Sequence, residues 1–340
     1  MNFRCPAVDL ELKTERLALK SPFRISGYTF TDAEVLAVTV RAAGAIGRGE
    51  ANGVYYLGDD LARMTEQVEA ARGAVEAGLS REELREFLPA GGARNALDAA
   101  LWELEARLTG RSIAEIAGLG ALRPLRTTFT IGAEAPAEMA RIAQDYRQAK
   151  AVKLKLTGEV DLDIERVRAV RAARPDVWIG VDGNQGFEAG DLGRLLPVLL
   201  EARVGLLEQP LARGREADLD GVPRPLPFAA DESVQDFGDI AGLVGRFDVV
   251  NIKLDKCGGL TEGLLMAAAA KRLGLTPMVG CMTGSSLAMA PAFVLGQLCD
   301  LVDLDGPIFL ARDRAPGATY ENGEIWCGDA VWGGHAAMAE

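Results

Sequence analysis

The chain has 340 residues, a formal net charge of −12 at pH 7 and one histidine, His335. The acidic balance disfavours nucleic acid and anionic membrane surfaces as partners, because clustered basic residues provide the affinity for both. A single histidine near the C-terminus excludes serine-histidine triads and multi-histidine metal sites, so any proton transfer must use Lys, Asp, Glu, Tyr or Cys.

The cysteines indicate a reducing compartment. They are odd in number, scattered, and form no Cys-x-x-Cys motif, which is typical of free thiols in a cytosolic protein. The first 20 residues are charged throughout and lack the apolar segment of a signal peptide. No apolar run of about 18 residues exists either, so we expect a cytoplasmic protein without a membrane span.

The first 120 residues are predicted to be α+β. Residues 8–20 and 34–41 have the alternation of strands, and the second run ends in a turn at 44–47. Helices are predicted over 60–77 and 93–108, the latter from apolar residues at helical spacing before Gly110.

After Pro124, short apolar runs alternate with amphipathic helical stretches. The runs end about 25 residues apart, which is the length of one strand, one helix and two short loops. Eight such repeats predict a (β/α)8-type barrel, whose catalytic residues lie where its strands end. The predicted strand ends are Ile131, Lys155, Asp182, Glu208, Asp231, Lys253, Cys281 and Asp303.

Three acids close consecutive strands: Asp182, Glu208 and Asp231. Neighbouring parallel strands lie about 4.8 Å apart, so their end residues can converge. Three adjacent carboxylates repel one another, and a hard divalent cation relieves that repulsion. Oxygen ligands without Cys or His favour Mg²⁺, with Mn²⁺ as a substitute, over zinc.

Three lysines also occupy strand ends. Lys153 and Lys155 are two residues apart on one strand, so both face the barrel interior. Neighbouring ammonium groups and a nearby cation lower a lysine pKa, which prepares a base that works near pH 7. Lys253 ends a strand across the barrel mouth, so a carbon between Lys155 and Lys253 can lose a proton to one lysine and regain one from the other.

Asp303 and Asp305 form a same-face pair on the last strand. They can bind a substrate ammonium group, or they can cap the turn that follows. Cys281 has no partner base nearby and is predicted to be a small buried residue. The Gly-rich run 180–186 lacks a phosphate-loop motif, so a nucleotide role is not favoured.

These motifs together resemble the enolase superfamily, in its muconate-lactonizing subgroup, and within it bacterial dipeptide epimerases of the L-Ala-D/L-Glu kind. The resemblance covers nearly the whole chain. Its motifs are Leu88-Pro-Ala-Gly-Gly-Ala-Arg-Asn-Ala-Leu-Asp98, Lys153-Leu-Lys155, Val181-Asp-Gly-Asn-Gln185, Leu207-Glu-Gln-Pro210, Ala230-Asp-Glu-Ser233, Asn251-Ile-Lys-Leu-Asp-Lys-Cys-Gly-Gly259, Gly280-Cys-Met282 and Asp303-Leu-Asp-Gly-Pro307.

The resemblance implies a fold and a division of the chain. Residues 1–118, completed by the tail 312–340, would form an α+β capping domain over a (β/α)7β barrel of residues 119–311. It implies one Mg²⁺ per subunit, a cytoplasmic role in murein peptide recycling, and a homo-oligomer as an open option. His335 is expected to be a bystander in the tail.

The resemblance also implies a reaction on L-Ala-D/L-Glu or a related L-Ala-Xaa dipeptide. Lys155 and Lys253 would be opposed acid/base residues, with Lys153 modulating Lys155. One lysine would remove the α-proton of the C-terminal residue, the metal would stabilise the enediolate, and the other lysine would return a proton. Asp303 and Asp305 would hold the free amino group.

Side-chain specificity is where the sequence departs from the resemblance. Glutamate-specific relatives carry an arginine a few positions after the Pro-Phe of the first capping loop, where this chain has Gly27 and Tyr28. The only nearby arginine is Arg24, so two alternatives stay open: Arg24 substitutes for the missing arginine, or the side-chain preference has changed. The full set of expected substrate contacts is Lys153, Asp303, Asp305, Arg24, Tyr28, Cys281 and Met282, with Asn184 and Glu232 supporting the metal ligands.

Other functions stay open at this point. On the same scaffold, an N-acylamino acid racemase, a cycloisomerase or an o-succinylbenzoate synthase is an alternative, although the Asp-x-Asp pair argues against them. A lysine at a barrel strand end can also form a Schiff base, as in metal-independent aldolases. A non-catalytic metal-binding module is disfavoured, because binding Mg²⁺ requires no opposed lysines.

Overall fold

Two large sheets organise the computed structural model, which describes residues 3–334. An antiparallel sheet belongs to the first 120 residues and a parallel eight-stranded sheet to the rest. The strands are β1 (Asp9–Ile25), β2 (Tyr28–Ala42), β3 (Ala45–Asn52), β4 (Leu125–Arg126), β5 (Phe129–Ile131), β6 (Ala151–Lys155), β7 (Trp178–Asp182), β8 (Val204–Glu208), β9 (Phe228–Ala230), β10 (Val249–Lys253), β11 (Thr276–Gly280), β12 (Leu301–Val302), β13 (Thr319–Glu321) and β14 (Glu324–Trp326).

The helices flank both sheets. They are α1 (Leu61–Glu76), α2 (Arg81–Phe87), α3 (Gly92–Thr109), α4 (Ile113–Ile116), α5 (Pro136–Asp145), α6 (Val160–Ala173), α7 (Leu192–Glu201), α8 (Ile240–Leu243), α9 (Leu254–Cys257), α10 (Leu260–Arg272), α11 (Ser286–Gly296) and α12 (Gly306–Phe309). Short 3-10 helices cover Tyr55–Leu57, Ala189–Asp191, Glu216–Leu219 and Phe237–Asp239.

β1 and β2 form a long hairpin that extends beyond both predicted strands. Ile25 pairs with Tyr28 across a two-residue turn. Gly27 in this turn has a φ of +75°, which glycine adopts without steric cost. The family resemblance implied a capping loop over 21–30, and the structure has paired strand residues on both sides of the turn there.

β3 was not predicted as a strand. It pairs antiparallel with β2, but two glycines interrupt its sequence and weaken the strand signal. Those glycines serve packing: a Cβ at Gly47 or Gly49 would overlap the backbone carbonyl of Ala100 or Ala96 in α3. β3 therefore lies against α3 at a distance that only glycine permits.

This close approach predicts a stability effect. We expect Gly49→Ala to lower the free energy of unfolding by about 1–3 kcal/mol, because helix and sheet must move apart. Gly73→Ala is the matched control, since Gly73 lies within α1 and the methyl group that alanine adds there meets nothing within 4 Å. This control should stabilise the protein by about 0.4–1 kcal/mol. Urea denaturation measures both; equal effects would contradict the packing role.

The parallel sheet runs in the order β5 to β12 without a break. The backbone N–H of Thr128 donates to the carbonyl of Val302 at 3.1 Å, which joins the first and last strands. Helices connect successive strands, except that β8 and β9 are joined through a 3-10 helix at Glu216–Leu219. The predicted (β/α)7β fold is confirmed.

Strand ends lie where the sequence predicted them, to within one residue. Lys155, Asp182, Glu208 and Lys253 are the last residues of their strands. Asp231, Cys281 and Asp303 are instead the first residues after theirs. All of them lie at the carboxyl end of the barrel, where a site is expected.

The C-terminal segment contacts both sheets. β13 pairs with β14, and β14 pairs with β4, in a separate small sheet. The ring of Tyr320 in β13 lies 6.4 Å from that of Phe129 in β5. Further along, the indole N–H of Trp332 donates to the carbonyl of Arg48 at 3.1 Å, and Arg48 donates to the carbonyl of Val331 at 2.9 Å. The domain boundaries themselves stay predictions, and His335 lies outside the described residues.

Within residues 3–334, no helix combines the length and the apolar character that crossing a membrane requires.

Candidate active site

Three carboxylates converge at the ends of adjacent strands. Asp182 on β7 is in register with Glu208 on β8, and Asp231 follows the next strand, β9. One oxygen of each lies within 4.8 Å of the others, and all three residues are at most 1% exposed. Burial and the charges of Asp182 and Asp231 raise the pKa of Glu208 to about 7.

This donor set fits a magnesium ion. It offers carboxylate oxygens alone, the ligands that a hard divalent cation prefers. The neighbouring Glu232 is 2% exposed, and its buried Oε2 has no hydrogen-bond partner among the described residues. Burial and the charges of Asp231 and Asp182 raise the pKa of Glu232 to about 8. A cation between these acids would offset the repulsion.

Two lysines approach the acids from opposite sides. Lys155 Nζ lies 2.6 Å from Asp182 Oδ2, and Lys253 Nζ lies 2.6 Å from Asp231 Oδ2. They extend from β6 and β10, which are four strands apart in the barrel. Both line one cavity, so a carbon atom in that cavity can be reached from two sides.

Lys153 lies deeper than Lys155, as expected for the same face of one strand. Its Nζ is 2.9 Å from Glu208 Oε1, 2.9 Å from Asp303 Oδ2 and 3.1 Å from Asp182 Oδ2. Lys153 does not belong to the cavity lining. It therefore touches two of the three converging acids rather than the cavity.

The carboxylates around Lys153 and Lys253 oppose the lowering of lysine pKa values that neighbouring ammonium groups produce. Burial lowers the pKa of Lys153, but Asp182, Asp303 and Glu208 outweigh it and hold that pKa well above its usual range. Burial also lowers the pKa of Lys253, but the charge of Asp231 is the main cause that holds that pKa well above its usual range. The lowering predicted for the Lys153 and Lys155 pair includes the charge of a bound cation, and it stays a prediction.

Sequence reasoning missed two further contacts to the acids. Lys256 Nζ lies 2.6 Å from Asp231 Oδ1, and Asn251 Nδ2 donates to Glu208 Oε1 at 2.9 Å. Asn251 and Lys253 share a face of β10, so alternation along the strand could have identified Asn251. Lys256 follows on the short α9, where no strand alternation indicates its direction.

Asp303 and Asp305 are both 5% exposed and already have partners. Asp303 accepts from Lys153 and from the hydroxyl of Thr128. Asp305 accepts from the backbone N–H of Thr130, and burial with the charge of Asp303 raises its pKa to about 7. Neither residue lines the cavity, but their charges act on Cys281, which does.

The cavity has a volume of about 280 Å³ and lies between the N-terminal sheet and the barrel mouth. The barrel contributes the two lysines together with expected site residues, and the N-terminal part contributes mainly aromatic and aliphatic side chains. The expected residues that line it are Lys155, Asn184, Asp231, Glu232, Lys253, Cys281 and Met282.

Arg24 and Tyr28 do not line this cavity. Side chains alternate along a strand, so Arg24 faces away from Phe23 and Ile25, and its guanidinium lies 2.6 Å from Glu134. Tyr28 is 48% exposed at the hairpin tip and packs on the ring of Tyr55. The structure therefore does not bring Arg24 and Tyr28 together with the other expected site residues.

The chain matches two family models. Residues 7–118 match the mandelate racemase/muconate lactonizing enzyme N-terminal domain, and residues 136–315 match the enolase C-terminal domain-like family. It is similar to the L-Ala-D/L-Glu epimerase of Escherichia coli strain K12, with 38% identity over 92% of this chain and 97% of that protein. It is also similar to the N-acetyl-D-glutamate racemase of a Pseudoalteromonas species, with 40% identity over 74% of this chain and 79% of that protein.

Solved structures show the same architecture. An enolase family member from Agrobacterium tumefaciens with bound sodium and L-Ala-L-Glu aligns with a TM-score of 0.91, 41% identity, and coverage of 96% of this chain and 99% of the other. The dipeptide epimerase of Methylococcus capsulatus, complexed with Mg and L-Arg-D-Lys, aligns with a TM-score of 0.90, 30% identity, and coverage of 97% and 99%. The chain therefore belongs to the mandelate racemase/muconate lactonizing enzyme family of the enolase superfamily.

Proposed function

We propose that the protein is a magnesium-dependent dipeptide epimerase, an isomerase that inverts the α-carbon of the C-terminal residue. The observation that carries the proposal is the placement of Lys155 and Lys253 on opposite sides of one cavity, with the metal-binding acids between them. Inversion requires removal of a proton on one face and delivery on the other, and two opposed bases meet that requirement.

Each group has a defined task. Asp182, Glu208 and Asp231 would hold Mg²⁺, which, when bound, supplies positive charge that stabilises the carboxylate as the α-proton leaves. Lys155 would exchange the proton of the (S) epimer and Lys253 that of the (R) epimer. Lys153 would act on Lys155 only through the acids that both of them contact.

The acid pair after β12 supports a dipeptide rather than an N-acylated amino acid. Asp303 and Asp305 place two carboxyl groups near Cys281 at the cavity wall. A free ammonium group gains a favourable interaction with that charge. An N-acyl group carries no positive charge and gains no such interaction, so we propose that the pair selects the dipeptide amino terminus.

The test is hydrogen exchange during turnover. In D₂O with Mg²⁺, we expect L-Ala-L-Xaa dipeptides to gain deuterium at the C-terminal α-carbon while D epimer accumulates, as measured by mass spectrometry and chiral chromatography. N-acetyl amino acids should exchange far more slowly, and EDTA should stop both processes. Faster exchange of the N-acetyl compounds would favour a racemase, and borohydride trapping that EDTA does not affect would favour a Schiff-base aldolase.

A further inference from the structure

The tip of the β1–β2 hairpin presents an apolar face to the cavity. Phe23, Ile25 and Phe30 line it, and Phe23 is paired directly with Phe30 across the two strands. Their alternation with Arg24 and Thr29 puts the polar side chains of this tip on the opposite face. No basic side chain of the tip can therefore reach the cavity without a change in strand register.

The wall next to this face is apolar as well. The rings of Phe30 and Tyr55 lie 5.3 Å apart between centroids, and those of Tyr55 and Tyr56 lie 5.2 Å apart. Tyr28 supports Tyr55 from outside, at 4.4 Å. Leu61 and Met282 complete this wall. Aromatic edges and faces at these distances form a surface that binds apolar groups.

The charges in the cavity lining are distributed unevenly. The basic residues in it are Lys155 and Lys253, which are assigned to proton transfer. The acids at the rim have partners of their own: Glu34 pairs with Arg16, and Asp59 accepts from the N–H of Gly92 at 2.8 Å.

The remaining rim acids are engaged too. Asp60 accepts from the N–H of Arg63 at 2.8 Å, where it caps α1, and Asp32 lies 3.8 Å from the guanidinium of Arg16. These acids would repel a substrate carboxylate. Each is already engaged by a protein N–H group or guanidinium, which weakens its attraction for a basic substrate side chain.

We propose that the epimerised residue carries an uncharged apolar side chain, with aromatic residues preferred, rather than the carboxylate of glutamate. The proposal rests on the dipeptide epimerase function. The apolar walls gain from removing such a side chain from water. A carboxylate there would lose its hydration without a matching partner, and an ammonium group would have to compete for acids that protein donors already engage.

The test compares kcat/KM for L-Ala-L-Phe, L-Ala-L-Leu, L-Ala-L-Glu and L-Ala-L-Lys with the magnesium-loaded enzyme, by α-hydrogen exchange in D₂O. We expect the value for L-Ala-L-Phe to exceed those for L-Ala-L-Glu and L-Ala-L-Lys by at least about tenfold. Equal or higher values for either charged substrate would overturn the proposal. Exchange with none of the four would instead overturn the epimerase function on which it rests.

Two neighbouring variants separate the cavity wall from a general charge effect. Phe30→Arg puts a cation on the cavity face, and we expect it to raise the L-Ala-L-Glu to L-Ala-L-Phe ratio of kcat/KM by about tenfold or more. Thr29→Arg adds the same charge on the opposite, exposed face of the hairpin and should leave the ratio unchanged. An equal shift in both variants, or none in either, would show that this wall does not set the preference.

Discussion

Replacing either Lys155 or Lys253 with alanine should lower the rate of epimerisation by about 10²–10⁴-fold, the usual contribution of a positioned acid or base. Each lysine lies 2.6 Å from a different acid of the triad, so neither can take the position of the other. The loss of one proton carrier stops inversion even if the other still works. Rates of D-epimer formation from an L-dipeptide measure the effect.

The two variants should differ in what they retain. If Lys155 serves the (S) epimer, Lys253→Ala should still exchange the α-hydrogen of an L-dipeptide with solvent deuterium without inverting it. Lys155→Ala should retain exchange only with the D-dipeptide. Lys150→Ala is the matched control, because Lys150 is half-exposed and precedes β6 at the opposite end of the barrel. Exchange of both epimers at wild-type rates in both variants would contradict a two-base reaction.

The barrel and its acids could be predicted from the sequence because parallel barrel strands carry a simple signal. Buried apolar runs end abruptly in charged residues, and the carboxyl ends of all strands meet at one face. Asp182, Glu208 and Lys253 therefore fall where the pattern places them. Errors of one residue, as at Asp231, have no effect on which side chains meet.

The N-terminal part was harder to predict because its shape depends on pairing rather than on local pattern. β3 has a weak strand signal, since Gly47 and Gly49 reflect contact with α3 that no local rule reveals. The direction of Arg24 depends on the register of the β1–β2 hairpin, which a loop prediction cannot supply. The side of the cavity that the β1–β2 hairpin forms was thus less predictable from the sequence than the strand ends of the barrel.

The ion pairs and pKa values of the site were also harder to predict than its residues, because they depend on several side chains at once. The sequence identified Lys153 and Asp303 but could not show that they contact each other at 2.9 Å. It also left out Lys256, whose ammonium group, with that of Lys253, keeps the pKa of Asp231 well below its usual range despite burial. A pKa in this site is set by all of its neighbours, so no two residues taken alone determine its direction.

Glu208→Gln should remove the response of the protein to magnesium. In the wild type, Mg²⁺ that binds only the folded state stabilises it by about 2.7 kcal/mol when present at about 100 times its Kd, so Tm should rise with Mg²⁺ concentration. The glutamine variant lacks one of the three converging charges, and we expect a much smaller rise, with epimerisation reduced by more than about 10²-fold.

A matched control makes the magnesium result specific. Glu165→Gln changes an exposed acid on α6 by the same chemical step, so its Tm response to Mg²⁺ and its activity should equal those of the wild type. Circular dichroism melts with and without EDTA measure both proteins.

The rise in the Tm of the wild type with Mg²⁺ should also disappear at a pH low enough to protonate Glu208, whose pKa of about 7 reflects burial beside Asp182 and Asp231. Cation binding requires the ionised carboxylate, and proton and metal then compete for one oxygen. A Tm response that persists in Glu208→Gln would place the metal elsewhere and remove the charge on which the proposed proton transfer depends.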